Sequence, residues 1–313
     1  MIKPRALRSK ERIALVAPGS RPARPSLVKK AEAIVAEMGY TPVIGDYVLS
    51  THGYMAGRDE ERLKDLRAAL DNDSIAAVWF LTGGYGALPL LDKIPYGIFK
   101  EHPKIVIGGE DNSHLLLALS KVAGVVTYHG ANVDCIETRE AFDHYKKFFS
   151  GAGGAESLDL SVKDKVVPGF CYAPVEAKCK GRLLPANLTA LISLFGTRFE
   201  PDFTGTILML EDRNERNDIL DRWFTTLYIS GKLASIAALG MGQFERCDSR
   251  NAFNMLSFEE LVADRIEEME LPTCFDLPFG QRGDCAIVPS GLAATLDTAT
   301  GQLHLLESML DRN

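Results

Sequence analysis

The chain has 313 residues, 46% of them apolar and 25% charged, with a formal charge of −7. Such a composition describes a globular protein with room for two ordinary domains, and its acidic balance argues against a general nucleic-acid binder, which would need a basic face. The first residues carry no apolar core of signal-peptide length, and no run of 18 apolar residues occurs, so a cytoplasmic location without a membrane partner is expected.

Arg12 to Ala17 is a short apolar run that opens into Pro18-Gly19-Ser20, and it reads as a first buried strand. Pro25 to Met38 has helical periodicity and stops at Gly39; Thr41 to Ile44 is a second strand. A helix begins at Arg58, with Leu63, Leu66, Ala69 and Leu70 on one face, and Ala76 to Leu81 forms a third strand ending at Thr82-Gly83-Gly84-Tyr85-Gly86. Ile105 to Gly108 reads as a buried strand end, and the continuous apolar run beyond Asn112 as a buried helix. Between them Gly108-Gly109 makes a sharp turn that lifts Glu110 to the tip of a strand–turn–helix elbow. The first N–H groups of the helix then face whatever binds there. A strand at Gly124 to Thr127 and a helix from about Ile136 to Phe149 complete a first domain, expected to end near residue 155.

Residues 156–180 read as irregular or edge strand, a crossing segment. In the second domain, 181–313, helices run after Asn187 to Leu194, from Ile219 to Ile229 and from Phe258 to Met269. Strands run from Gly205 to Leu210, ending at Glu211-Asp212, and from Ile236 to Gly240. The tail alternates apolar and polar residues at Ala286 to Pro289, Ala293 to Leu296 and Gln302 to Leu306, as short antiparallel strands do. The expected fold is α/β: a flavodoxin-like parallel sheet flanked by helices, then a smaller mixed domain, with the site in the groove between them. Pro18-Gly19-Ser20, the Gly83 to Gly86 loop and Gly109-Glu110-Asp111 all fall at the carboxyl edge of that sheet, where such folds bind ligands.

Candidate residues need weighing against simpler roles. The Gly loop could cradle an anion, although no Gly-Lys-Ser/Thr follows it. With no Gly-x-Gly-x-x-Gly after the first strand and no Cys-x-x-Cys among six cysteines, neither a nicotinamide cofactor nor a metal is expected; the cysteines read as buried free thiols. Glu211 closes an apolar strand, and Asp212, Arg213, Glu215 and Arg216 beside it read as structural ion pairs. His129 ends a strand at the same edge, and a lone histidine there is more often structural than catalytic. His114 lies just past the elbow, within reach of the site; His52, His102, His144 and His304 read as surface.

These residues together resemble the LD-carboxypeptidase (muramoyltetrapeptide carboxypeptidase) family, which includes microcin-C-type immunity peptidases. The likeness runs through Val16 to Ser20, Ala56 to Arg62, Gly83 to Gly86, Lys104 to Asp111, His129-Gly130, Asn187-Leu188, Leu194 to Thr197, Gly205 to Asp212, Asp221-Arg222, Gly242 to Phe244 and Leu277 to Gly280. The family cleaves the amide before a terminal D-amino acid of peptidoglycan fragments with a Ser–His–Glu triad. The resemblance maps the serine onto Glu110, the glutamate onto Glu211 and the histidine onto Gln281, and no histidine occurs between His144 and His304. With two of three triad positions changed, loss of serine-peptidase chemistry is expected. Glu110 and Glu211 then read as a catalytic carboxylate pair, with Gly84, Tyr85, Asp111, His129, Asn187 and Gln281 binding a muropeptide. Paired carboxylates are the usual equipment for glycosidic cleavage, so a muropeptide-cleaving enzyme of lytic transglycosylase or muramidase type is expected. A non-catalytic muropeptide binder and persisting carboxypeptidase activity through carboxylate-activated water are the alternatives, and a homodimer is compatible with either.

Overall fold

The structure is a computed structural model that describes residues 1–152, 157–158, 177–247 and 256–311. In chain order the first half contains β1 (Arg12–Val16), α1 (Pro25–Glu37), β2 (Thr41–Ile44), α2 (Asp59–Asp71), β3 (Ile75–Phe80), α3 (Tyr96–Glu101), β4 (Ile105–Gly108), α4 (Ser113–Ala123), β5 (Tyr128–His129) and α5 (Arg139–Ser150). There follow β6 (Ser157–Leu158), β7 (Lys178–Asn187), α6 (Leu188–Ser193), β8 (Thr206–Arg213), α7 (Asn217–Ile229), α8 (Lys232–Ser235), β9 (Ala238–Glu245) and α9 (Phe258–Ile266). The chain closes with β10 (Thr273–Cys274), β11 (Val288–Pro289), β12 (Ala293–Asp297) and β13 (Gln302–Leu305).

Two sheets result, each flanked by helices, in a two-domain α/β fold. The first has the order β11-β5-β4-β3-β1-β2 and is parallel except for β11. The second, β10-β9-β8-β7-β12-β13-β6, has a parallel block from β10 to β7 and an antiparallel remainder. Central strands are apolar on both faces because both faces are covered. Ile13 and Leu15 of β1 join one core with Ile207 and Met209 of β8, while Ala14 and Val16 join the other with Leu208 and Leu210. Each core therefore runs through both domains.

The chain ends reinforce this continuity. β11 comes from the second half yet pairs antiparallel with β5, Val288 opposite His129. The backbone of Asp311 exchanges hydrogen bonds with Pro4 and Ala6, and the Tyr128 hydroxyl donates to the Met309 carbonyl at 2.7 Å. Among the described residues no helix is long and apolar enough to cross a membrane.

Three expectations need correction. The strand expected at Gly124 to Thr127 is only Tyr128–His129, because Gly124 caps α4 in a left-handed turn and Val125 is spent on a bridge to Ile2. The expected crossing segment 156–180 lies largely outside the described residues, but Lys178–Asn187 is a central ten-residue strand, with Pro185 paired opposite Met209. Glu211 and Asp212 lie within β8, not beyond it.

One buried cation orients the loops at the carboxyl edge of the first sheet. The Arg62 guanidinium, fully buried at the start of α2, donates to the carbonyls of Pro18, Gly57 and Gly86 and pairs with Asp59. Arg62→Met should leave three carbonyls without a donor in a dry site. It should lower unfolding free energy by about 3 kcal/mol or more in denaturant titration.

Candidate active site

The elbow is built as the sequence suggests, with one extra turn. After β4, Gly109 is extended, Glu110–Asn112 form a single 3-10 turn, and α4 begins at Ser113. Glu110 has φ 57°, a left-handed conformation that costs a non-glycine residue about 1–2 kcal/mol. Backbone strain of this kind concentrates at functional positions. The Glu110 carboxylate accepts a 2.8 Å hydrogen bond from the Gly84 N–H, and Arg213 Nη1 lies 3.5 Å from its other oxygen. A Cβ on Gly83 would collide with that carboxylate, so the Gly loop owes its closeness to the elbow to a missing side chain. Glu110 keeps 24% of its side chain exposed. Burial, opposed by the Gly84 N–H and Arg213, raises its pKa.

Behind it lies Glu211, almost fully buried. The β8–β9 register shifts between Leu210 and Asp212, a local irregularity of the kind that re-aims side chains. There the Gln243 N–H donates to the Phe279 carbonyl at 2.8 Å, which carries Gln281 into the site. Gln281 Nε2 donates to Glu211 Oε2 at 2.6 Å. The other Glu211 oxygen stands 3.3 Å from His129 Nε2, and His129 Nδ1 stands 3.4 Å from Ser113 Oγ. Burial raises the Glu211 pKa well above the carboxylate range, with Asp212 adding to the shift, and lowers that of His129 to about 3. The favoured pair is a protonated Glu211 facing a neutral His129.

The sequence-derived site residues divide into two groups. Glu110, Gly84, Gln281 and Glu211 come together, and Tyr85 stands at the mouth, 43% exposed and edge-on to Tyr54 at 5.8 Å. Asp111 is partly buried beside Glu110, and burial raises its pKa to about 6. His129 and Asn187, expected to bind ligand, are enclosed. His129 is packed against Phe279, and Asn187 caps α6 through Ala190 while donating to Asp212. His114 is held between the Asp111 carbonyl and Ser193 and does not reach the site. Arg213, read from the sequence as a structural ion pair, was the missed residue. It does pair with Glu245 at 3.4 Å, but its other face meets Glu110. Its place at the end of an apolar strand, two residues past Glu211, was the available signal. Among the described residues no group of three His, Cys, Asp or Glu side chains is placed to hold a metal ion.

Comparison with known proteins now bears on this geometry. The LD-carboxypeptidase N-terminal domain matches residues 13–130 and the LD-carboxypeptidase C-terminal domain matches residues 180–296. The chain belongs to the LD-carboxypeptidase family. It is 30% identical to the Bacillus subtilis (strain 168) protein named "Probable murein peptide carboxypeptidase", over 95% of this chain and 92% of that one. It is also 30% identical to the murein tetrapeptide carboxypeptidase of Pseudomonas aeruginosa, over 91% and 93%. Among solved structures, the muramoyltetrapeptide carboxypeptidase from Oxalobacter formigenes superposes with a TM-score of 0.77 at 25% identity, covering 94% of this chain and 97% of that one. The wild-type apo microcin C7 self-immunity protein MccF superposes at 0.84 with 19% identity, covering 99% and 100%, a likeness of fold.

These relatives overturn the expectation of glycan cleavage. They are named for cutting peptides, and the family is a peptidase family, so a glycan-cleaving enzyme of lytic transglycosylase or muramidase type is not what the relatives support. Paired carboxylates suggested a glycosidase, but residue type alone does not choose the bond, and the nearer of the two carboxylates is tied to a backbone N–H beside an arginine.

Two measurements check the geometry. Glu110→Ser combined with Gln281→His should make position 110 react with a fluorophosphonate, because Glu211 already holds residue 281 by a short hydrogen bond; absence of labelling would mean the three positions are misaligned. The second concerns pH. Glu211, Asp111 and Asp212 all have raised pKa values, the latter two to about 6, with burial the first cause in each. The fold therefore holds more protons than the unfolded chain, so their stabilising contribution is complete below about pH 4 and is lost as pH rises through 6 and beyond. Melting temperature should fall over that range, and Glu211→Gln should flatten the fall and melt higher than the parent at pH 8.

Proposed function

We propose that this protein is a carboxypeptidase that releases a terminal D-amino acid from murein peptides by water attack, with Glu110 as general base. The observation that carries the reading is the Glu110 carboxylate at the elbow tip, held by the Gly84 N–H and adjoining Arg213, in a chain whose named relatives are murein peptide carboxypeptidases. A carboxylate there cannot form the acyl-enzyme that a serine would, but it can take a proton from water.

The chemistry follows from these groups. Water adds to the scissile carbonyl carbon and passes its proton to Glu110, giving a tetrahedral oxyanion. The protonated carboxyl is a weaker acceptor than the carboxylate, so its hold on the Gly84 N–H loosens and that donor becomes free for the oxyanion. Collapse breaks the C–N bond as Glu110 returns the proton to the leaving amine. The raised pKa of Glu110 favours both halves of this transfer near neutral pH. Arg213, 29% exposed, offers a guanidinium for the terminal carboxylate of the substrate. Tyr85 with Tyr54 gives an aromatic wall at the mouth, and protonated Glu211 orients Gln281 beside Gly109.

The test is product analysis on a purified murein tetrapeptide. Free D-alanine and the shortened peptide are expected, and the rate should rise with pH through a limb above the ordinary carboxylate range. Glu110→Gln should lower turnover about a hundredfold or more while leaving peptide binding in place. Arg213→Gln should act mainly on KM. A peptide that binds without releasing any amino acid would make the protein a binder and overturn the reading.

A further inference from the structure

Gln281 is buried in the site with half of its amide unused. The residue is only 4% exposed. Its Nε2 donates to Glu211 Oε2 at 2.6 Å, while Oε1, also buried, meets no donor among the described residues. A buried acceptor is costly to leave unsatisfied, and water is the usual partner that satisfies one.

Neighbouring groups fix which end of the amide is free. Glu211 Oε1 stands 3.3 Å from His129 Nε2, and His129 Nδ1 stands 3.4 Å from Ser113 Oγ. With the Glu211 proton on Oε1, facing His129 Nε2, Oε2 is an acceptor only and takes an amide N–H. Nδ1 then carries the ring hydrogen and directs it to Ser113. The row from Ser113 through His129 to Glu211 thereby holds Gln281 in one orientation, its NH2 group inward and its Oε1 turned away from Glu211. That oxygen shares its surroundings with the general base. Gln281 and Arg213 line one cavity of about 460 Å³, and Arg213 Nη1 lies 3.5 Å from Glu110 Oε1. The Gly84 N–H occupies Glu110 Oε2, so Oε1 is the oxygen on the cavity side. A Cβ on Gly109, the residue before Glu110, would stand 3.7 Å from Gln281 Cγ.

Resting on the carboxypeptidase reading, we propose that Gln281 is a second catalytic residue, whose Oε1 holds the attacking water beside Glu110. Water brings two hydrogens to the step. One passes to Glu110 as the water oxygen bonds to the scissile carbonyl carbon. The other must be held so that a lone pair faces that carbon, and Gln281 Oε1 accepts it without removing it. Gln281 therefore changes no charge, and the proton on Glu110 balances the oxyanion as before. The resemblance places a base at position 281; an amide cannot take a proton from water, and its use to water attack is as an acceptor.

The experiment measures D-alanine release from a purified murein tetrapeptide by the full chain and two variants, beside a crystal structure of the unliganded parent. Gln281→Met keeps the length and removes both hydrogen-bonding ends. It should lower kcat about a hundredfold, with KM and the position of the pH limb unchanged. Gln281→His can donate one ring nitrogen to Glu211 and present the other as an acceptor, and it should keep about a tenth of the parental rate or more. The crystal should hold a water about 3 Å from both Gln281 Oε1 and Glu110 Oε1. The histidine variant and the crystal decide the matter even if the methionine variant does not fold. A dry position, a methionine variant at the parental rate, a loss carried by KM alone, or two variants equally slow each overturns the role of Gln281 and leaves the carboxypeptidase reading standing. A parent that releases no amino acid overturns both.

Discussion

A single guanidinium with no access to water sets the geometry on which the site depends. Arg62 satisfies carbonyls from three separate loops, those of Pro18, Gly57 and Gly86. Burying a cation is costly unless every donor finds an acceptor, and here the acceptors are three main-chain oxygens and the Asp59 carboxylate. Those loops are therefore constrained by the demands of one charge. The Gly83–Gly86 loop is closed at its far end by this contact and at its near end by the Gly84 N–H on Glu110. The elbow conformation of Glu110 is then favoured from two directions, which is how a residue remains at positive φ despite its Cβ.

Most of the architecture was legible in the sequence because its signals are local. Strands covered on both faces read as unbroken apolar runs, and β1, β3, β4 and β8 do so; Gly108-Gly109 marked the elbow, although there the glycines serve close approach to Phe80, Asn132 and the Gly130 carbonyl, and the left-handed residue is Glu110. What was not legible depended on partners distant in the chain. β7 was missed since Pro185 is unusual in a central strand, and its ladder to β8 becomes visible only once both strands are placed. His129 sits at the expected sheet edge, yet Phe279 of the second half packs over it, and Asn187 at the end of β7 is enclosed between Ser113 and Asp212, facts no local pattern contains. Arg213 looked like one more charge in a crowded loop until β8 ran on through it.

The carboxylates teach a related lesson. Glu110 and Glu211 were expected at one site, and their pairing was read as a glycosidase signature. In the structure they differ in kind: one is reachable and held by a backbone donor, while the other is buried, held by Gln281 and 3.3 Å from His129. A proton that stays on Glu211 makes it a support for its neighbours, and only Glu110 is left with the exposure that a proton-transfer group needs.

The pairing of β11 with β5 also bears on how the protein is made. During synthesis the N-terminal sheet emerges complete but for one edge, and the strand that covers β5 is not available until residue 289 has left the ribosome. For more than half of translation, β5 is an open edge able to pair with another chain. β5 is only two residues long, and short edges are poor templates. The brevity of that strand, which looks like an irregularity in the finished fold, is then a safeguard for the nascent one.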